Sequence, residues 1–71
     1  MKYLIVIEKG PENYSAYAPD LPGCVATGKT RKEVEQNMHE AILFHLQGLK
    51  EDGIPPQSPE AYARYEDIAL P

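Results

Sequence analysis

Residues 30–53, TRKEVEQNMHEAILFHLQGLKEDG, decide the fold. Thr30-Arg31-Lys32-Glu33 reads as a capping box. In such a box the Thr30 hydroxyl accepts from the Glu33 N–H, and the Glu33 side chain returns to the Thr30 N–H. Val34, Met38, Ala41, Ile42, Leu46 and Leu49 then recur at three- and four-residue spacings, one apolar stripe on a helix. Gly48 weakens that helix by about 1 kcal/mol. Gly53 is suited to the C′ position, and Pro55 and Pro56 forbid continuation. The spacing therefore predicts a helix from Arg31 to about Asp52.

Upstream, the period changes from helical to two-residue. Lys2 to Glu8 reads as a strand, with Tyr3, Ile5 and Ile7 on one face and Leu4 and Val6 on the other. Both faces are apolar, the pattern of a central strand. Lys9 to Asn13 is a turn built on Gly10 and Pro11. Asn13 to Ala18 forms a second strand, antiparallel to the first because the connection is short. Pro19 to Gly23 breaks the ladder, since proline donates no N–H. Cys24 to Thr27 is a third strand, ended by Gly28.

Downstream, residues 54–59 hold three prolines. Ser58-Pro59-Glu60 predicts one helical turn, with Ser58 as N-cap. Tyr65 to Leu70 predicts a last strand anchored by Ile68 and Leu70. The order is β-β-β-α-β, an α+β two-layer domain over residues 1–71. A right-handed crossover places strand four beside strand one, giving 3-2-1-4. One helix covers one face of the sheet. The other keeps either Tyr3, Ile5 and Ile7 or Leu4 and Val6, an open apolar face expected to meet a partner.

Composition limits the function. The chain has 71 residues, 42% of them hydrophobic, and a net charge of −4. A domain this small is marginal alone, so a homodimer is expected, with a tetramer as the alternative. The acidic balance disfavours direct DNA or RNA binding, which needs cations against phosphate. One cysteine excludes an intramolecular disulfide. No apolar run reaches the 18 or so residues of a membrane span, and the short apolar start lacks signal-peptide features. A cytoplasmic location is the expectation.

No catalytic constellation emerges. Cys24 with a histidine could form a nucleophile pair, but a small core-facing cysteine is the better reading. His39 and His45 are six apart, about 120° off a shared helix face, so they do not chelate one metal. Glu35 and His39 share a face, though two ligands alone hold a metal poorly. Tyr3, Tyr14 and Tyr17 lie on strands one and two, where they either pack on the sheet face with wet hydroxyls or form an interface patch, tyrosine being a common interface anchor. No enzyme, metal or cofactor is expected.

Tyr14-Ser15-Ala16-Tyr17-Ala18 runs into Pro19-Asp20-Leu21-Pro22-Gly23-Cys24, then Thr27-Gly28-Lys29-Thr30 and Glu33 in the first helical turn. This series resembles the HicB-like antitoxin family. Its N-terminal domain shows an aromatic strand, the Pro-Asp-Leu-Pro-Gly-Cys run, Gly-x-Thr and a helix beginning with Glu. The run also has a local physics. Asp20 suits an Asx-type turn, and Pro22-Gly23 suits a type II corner with Gly23 at positive φ. The motif loop from Pro19 to Cys24 is thus either structural or partner-binding.

The resemblance implies a partial ribonuclease-H-like βββαβ domain. It also implies a partner, a small basic HicA-like toxin that cleaves mRNA and is blocked when bound. Asp20, Glu33 and Glu40 are candidate acidic contacts. Family members typically continue into a C-terminal DNA-binding domain. Here Pro71 follows the fourth strand directly, so operator binding is not expected. The alternative is a solitary oligomeric scaffold or regulatory domain without a toxin.

Overall fold

A computed structural model describes residues 1–71. Its elements are β1 (Val6–Lys9), β2 (Tyr14–Tyr17), β3 (Val25–Gly28) and α1 (Arg31–Glu51). The strands form one antiparallel sheet in the order β1-β2-β3. Ile7 lies opposite Ala16, and Ala16 opposite Ala26, so these three share a face. Val6, Tyr17 and Val25 form the corresponding row on the other face.

The helix is capped as its sequence demands. Thr30 is extended at φ −129°, and its hydroxyl accepts from the Glu33 N–H at 3.0 Å. The reciprocal half of the box is displaced by one residue. The Glu33 carboxylate accepts from Lys29 N–H at 3.4 Å, not from Thr30. At the other end Gly53 has φ +70°. Gly53 N–H donates to Lys50 C=O at 3.1 Å and Ile54 N–H to Leu49 C=O at 2.8 Å, the pair of bonds that defines a Schellman motif. Thr30→Ala removes an acceptor from a free helix N–H, and its expected cost is about 0.5–2 kcal/mol. A thermal melt unchanged by the substitution would show that Thr30 does not cap α1.

Val34 and Met38 are fully buried, whereas Ala41, Ile42, Leu46 and Leu49 farther along the stripe are only half-buried. They meet a core of Ala16, Ala18, Leu21 and Cys24, with Tyr3, Ile5, Ile7 and Tyr14 packed around it. Gly28 lets helix and sheet come this close. A Cβ there would sit 2.5 Å from Val34 N and 2.9 Å from Val34 Cα.

The expected fourth strand does not form, so the 3-2-1-4 order is not completed and β1 is an edge strand. Two captured segments account for this. The Tyr3 hydroxyl donates to Gln57 C=O at 2.8 Å. Asp20 Oδ2 accepts from Glu60 N–H at 3.1 Å and Ala61 N–H at 3.0 Å. Pro55 and Pro56 before Gln57 and Pro59 after it bias this stretch away from helix. The helical turn expected at Ser58-Pro59-Glu60 is absent for the same reason: Asp20, across the fold, takes the N–H groups that Ser58 would have capped. Beyond Ala61 the chain is exposed and forms no helix or strand.

Candidate partner-binding surface

The Pro19-to-Cys24 loop is two successive β-turns. Leu21 N–H donates to Ala18 C=O at 3.0 Å, and Cys24 N–H donates to Leu21 C=O at 3.0 Å. Ala18 N–H closes the loop onto Cys24 C=O at 3.3 Å. Pro19 and Pro22 each occupy the second position of a turn, where their fixed φ is an advantage. Gly23 has φ +82°, the value a type II turn needs at its third position. Leu21, at the junction, is driven into the core and is 1% exposed. Asp20 makes no Asx turn; its carboxylate reaches forty residues along the chain to hold Glu60 and Ala61. Pro22 and Gly23 remain exposed.

The three strand tyrosines do not share one patch. Tyr3 and Tyr14 pack beside the core on the helix side, and Tyr17 stands on the opposite face. That open face carries Val6, Tyr17 at 42% exposure and Val25 at 65%, with Leu4 joining them by alternation. The choice left by the sequence is thus resolved: Tyr3, Ile5 and Ile7 turn inward, Leu4 and Val6 outward.

A second apolar surface was missed by the stripe on α1. Phe44 is 79% exposed, and with Ala41, His45, Gly48 and Leu49 it lines a groove whose other wall is Gly23, Cys24 and Val25. The signal was present in the sequence. Leu43 and Phe44 extend the apolar arc beyond what one sheet face can cover. His45 stands in this groove, and His39 is exposed. Glu35 and His39 make no ion pair, and no three of the His, Cys, Asp and Glu side chains gather around a common point.

Cys24 is buried as a free thiol, and this burial pushes its pKa up, away from the thiolate. A nucleophile needs the opposite shift. The raised value makes stability pH-dependent in a defined direction. Above the ordinary thiol value of 9.0 the unfolded chain sheds a proton that the folded chain keeps. Stability from this group is thus fully present below 9.0 and is lost as pH rises through the higher folded value. Denaturant midpoints of the protein and of Cys24→Ala, compared across this range, should show the slope only where the thiol is present.

Glu33 and Glu40 are exposed on α1, and Asp20 is half-buried by its bonds to the tail. No helix is long and apolar enough to cross a membrane.

Known proteins resemble this chain. A 14.9 kDa protein in the rep-hol intergenic region of Haemophilus phage HP1 is 46% identical over 52 residues. The match covers 73% of this chain and 39% of the phage protein, so the chain spans well under half of that relative. A UPF0150 protein of Thermoplasma acidophilum is 43% identical over 51 residues, 70% of this chain and 74% of that one. Among solved structures, a chain of a "HicA3 and HicB3 toxin-antitoxin complex" superposes with a TM-score of 0.72 at 35% identity, covering 84% of this chain and 70% of that chain. A family profile described as "HicB_like antitoxin of bacterial toxin-antitoxin system" matches residues 3–68. From Tyr3 on β1's approach to Ile68 in the C-terminal arm, the chain belongs to the HicB-like antitoxin family.

Proposed function

We propose that this protein binds a small, basic HicA-like toxin and covers the surface with which that toxin meets mRNA, in the cytoplasm where mRNA is translated. The similarity to a chain from a HicA–HicB complex carries this reading. The net charge of −4 supports it, because an acidic protein is complementary to an RNA-binding face and repels RNA itself. Glu33 and Glu40 are the acidic contacts exposed on α1, Glu33 with one carboxylate oxygen on the Lys29 N–H. The protein acts by occupancy, without turnover. Binding should weaken with salt as the Debye length shortens from about 10 Å at 0.1 M to about 3 Å at 1 M. The test is co-expression with a HicA-like toxin in growing cells. Restored growth supports the proposal, and equal arrest with and without this protein sinks it. The open-face row of half-buried Val6 and exposed Tyr17 and Val25 favours a second reading, an oligomeric regulatory module with no toxin, which that arrest would leave standing.

A further inference from the structure

The chain leading into β1 is apolar on both faces, yet β1 lies at the edge of the sheet. From Tyr3 through Ile7, the approach and the first half of β1, five residues carry no charge, proline or glycine; only Glu8 and Lys9, beside the turn, are charged. Edge strands ordinarily carry such devices, because their unpaired N–H and C=O groups invite another strand. Here β2 occupies one side of β1, and no strand occupies the other.

The chain also holds a strand without a sheet. Residues 62–71 form no helix, turn or bridge, and none of the backbone hydrogen bonds involves them. Arg64 pairs with Glu66 at 2.7 Å, a two-residue spacing that puts both on one side of an extended segment. Ile68 and Leu70 continue that side, and Tyr65 is fully exposed on the other. The hydrogen bonds of Tyr3 and Asp20 hold the chain as far as Ala61, so the arm leaves the fold from a fixed point with its own β1 edge unpaired. The molecule is correspondingly long, 53 × 27 × 16 Å. Its radius of gyration is 14.4 Å, where a compact chain of this length has about 11 Å.

We propose that two copies exchange these arms, residues 62–71 of each adding as a fourth strand to the free β1 edge of the other. A two-fold axis then satisfies both edges and both arms at once and closes the assembly. The occupant is a second copy because the same chain supplies both halves of the complementarity, an unpaired edge and an unpaired strand in equal number. Full burial of Tyr62 and Tyr65 from both arms, one ring on each side of each arm, would supply at most roughly 600–1,000 Å², at about 150–250 Å² each, and Ile68 and Leu70 add to it toward the ~1,000 Å² that a specific interface needs. The exchange does not depend on whether a toxin binds.

The test uses the full chain, with sedimentation equilibrium and amide hydrogen exchange at high and low micromolar concentration. The expected result is a dimer in which the amides of residues 64–70 are protected, with protection lost on dilution to monomer. Ile68→Pro removes a ladder donor without touching the core, and should weaken the dimer roughly tenfold or more with the helical circular dichroism retained. A monomer at high concentration overturns the proposal, whether its arm is free or protected on its own β1. So does a dimer with an unprotected arm, or an Ile68→Pro chain that dimerises as tightly as the parent. Growth rescue by the antitoxin assay is read separately and stays informative in every case.

Discussion

Gly28→Ala is expected to be among the most damaging single methyl additions in this chain. The new Cβ would stand 2.5 Å from Val34 N, 2.9 Å from Val34 Cα and 3.0 Å from Glu33 C, all backbone atoms of the first helical turn. A side chain could rotate away; these atoms cannot move without carrying α1 off the sheet. Overpacking of this kind costs about 3 kcal/mol. For a chain of this size that corresponds to a fall of about 12–24 °C in melting temperature. Total stability is only roughly 4–11 kcal/mol at the usual amount per residue, so a large share is lost. Gly23→Ala is the matched control. It meets no atom within 4 Å and suffers only from its φ of +82°, so its cost should be smaller, about 1–2 kcal/mol. Melts of both variants by circular dichroism decide the matter. Equal effects at the two positions would mean that conformation, and not the close approach of helix and sheet, is what Gly28 supplies.

The contrast between these glycines shows what the sequence made legible. Gly23 follows a proline in a local turn, and its positive φ can be read from four residues. Gly28 matters because of Val34, which is brought over it only when the helix docks. The helix boundaries were legible for the same local reason: a threonine cap, an apolar stripe and a terminal glycine lie within one segment. The meander of three strands was legible from the alternation and the short turns. The direction in which β1 faces was not, because Tyr3, Ile5 and Ile7 are as apolar as Leu4 and Val6, and only the docked helix chooses between them. Asp20 was misread as a local turn former because its partners, Glu60 and Ala61, are some forty residues away. The missing fourth strand has the same origin. Tyr65 to Leu70 carries strand-forming residues, but whether it pairs is decided by Asp20 and Tyr3 holding the chain upstream.

Leu21→Ala separates the two roles that the Pro19-to-Cys24 run can have. Leu21 is the one residue of the loop whose large side chain is wholly inside, 1% exposed among Ala18, Cys24, Val34 and Met38. Ala18 and Cys24 are too small to fill the space left behind, and Met38, the one flexible neighbour, is itself fully buried and packed. Truncating a leucine in such a setting costs about 2–5 kcal/mol, the higher values belonging to sites that cannot collapse. Because Leu21 N–H and C=O also join the two turns, the loop should loosen as the core does. Asp20→Ala removes a different part of the motif. It frees Glu60 and Ala61 and leaves the core intact, so the melt should fall far less while the tail amides lose their protection from hydrogen exchange. A loop that exists to bind a partner would show the reverse order, with Leu21→Ala tolerated in the melt and toxin neutralisation lost at Pro22 or Gly23, the exposed positions. Should Leu21→Ala melt within about 1 kcal/mol of the parent, well under the range for a buried leucine, the structural role of the motif is refuted. If it falls by the full amount, the run is placed where it is because a two-turn corner with a leucine plug is what joins β2 to β3 over this core.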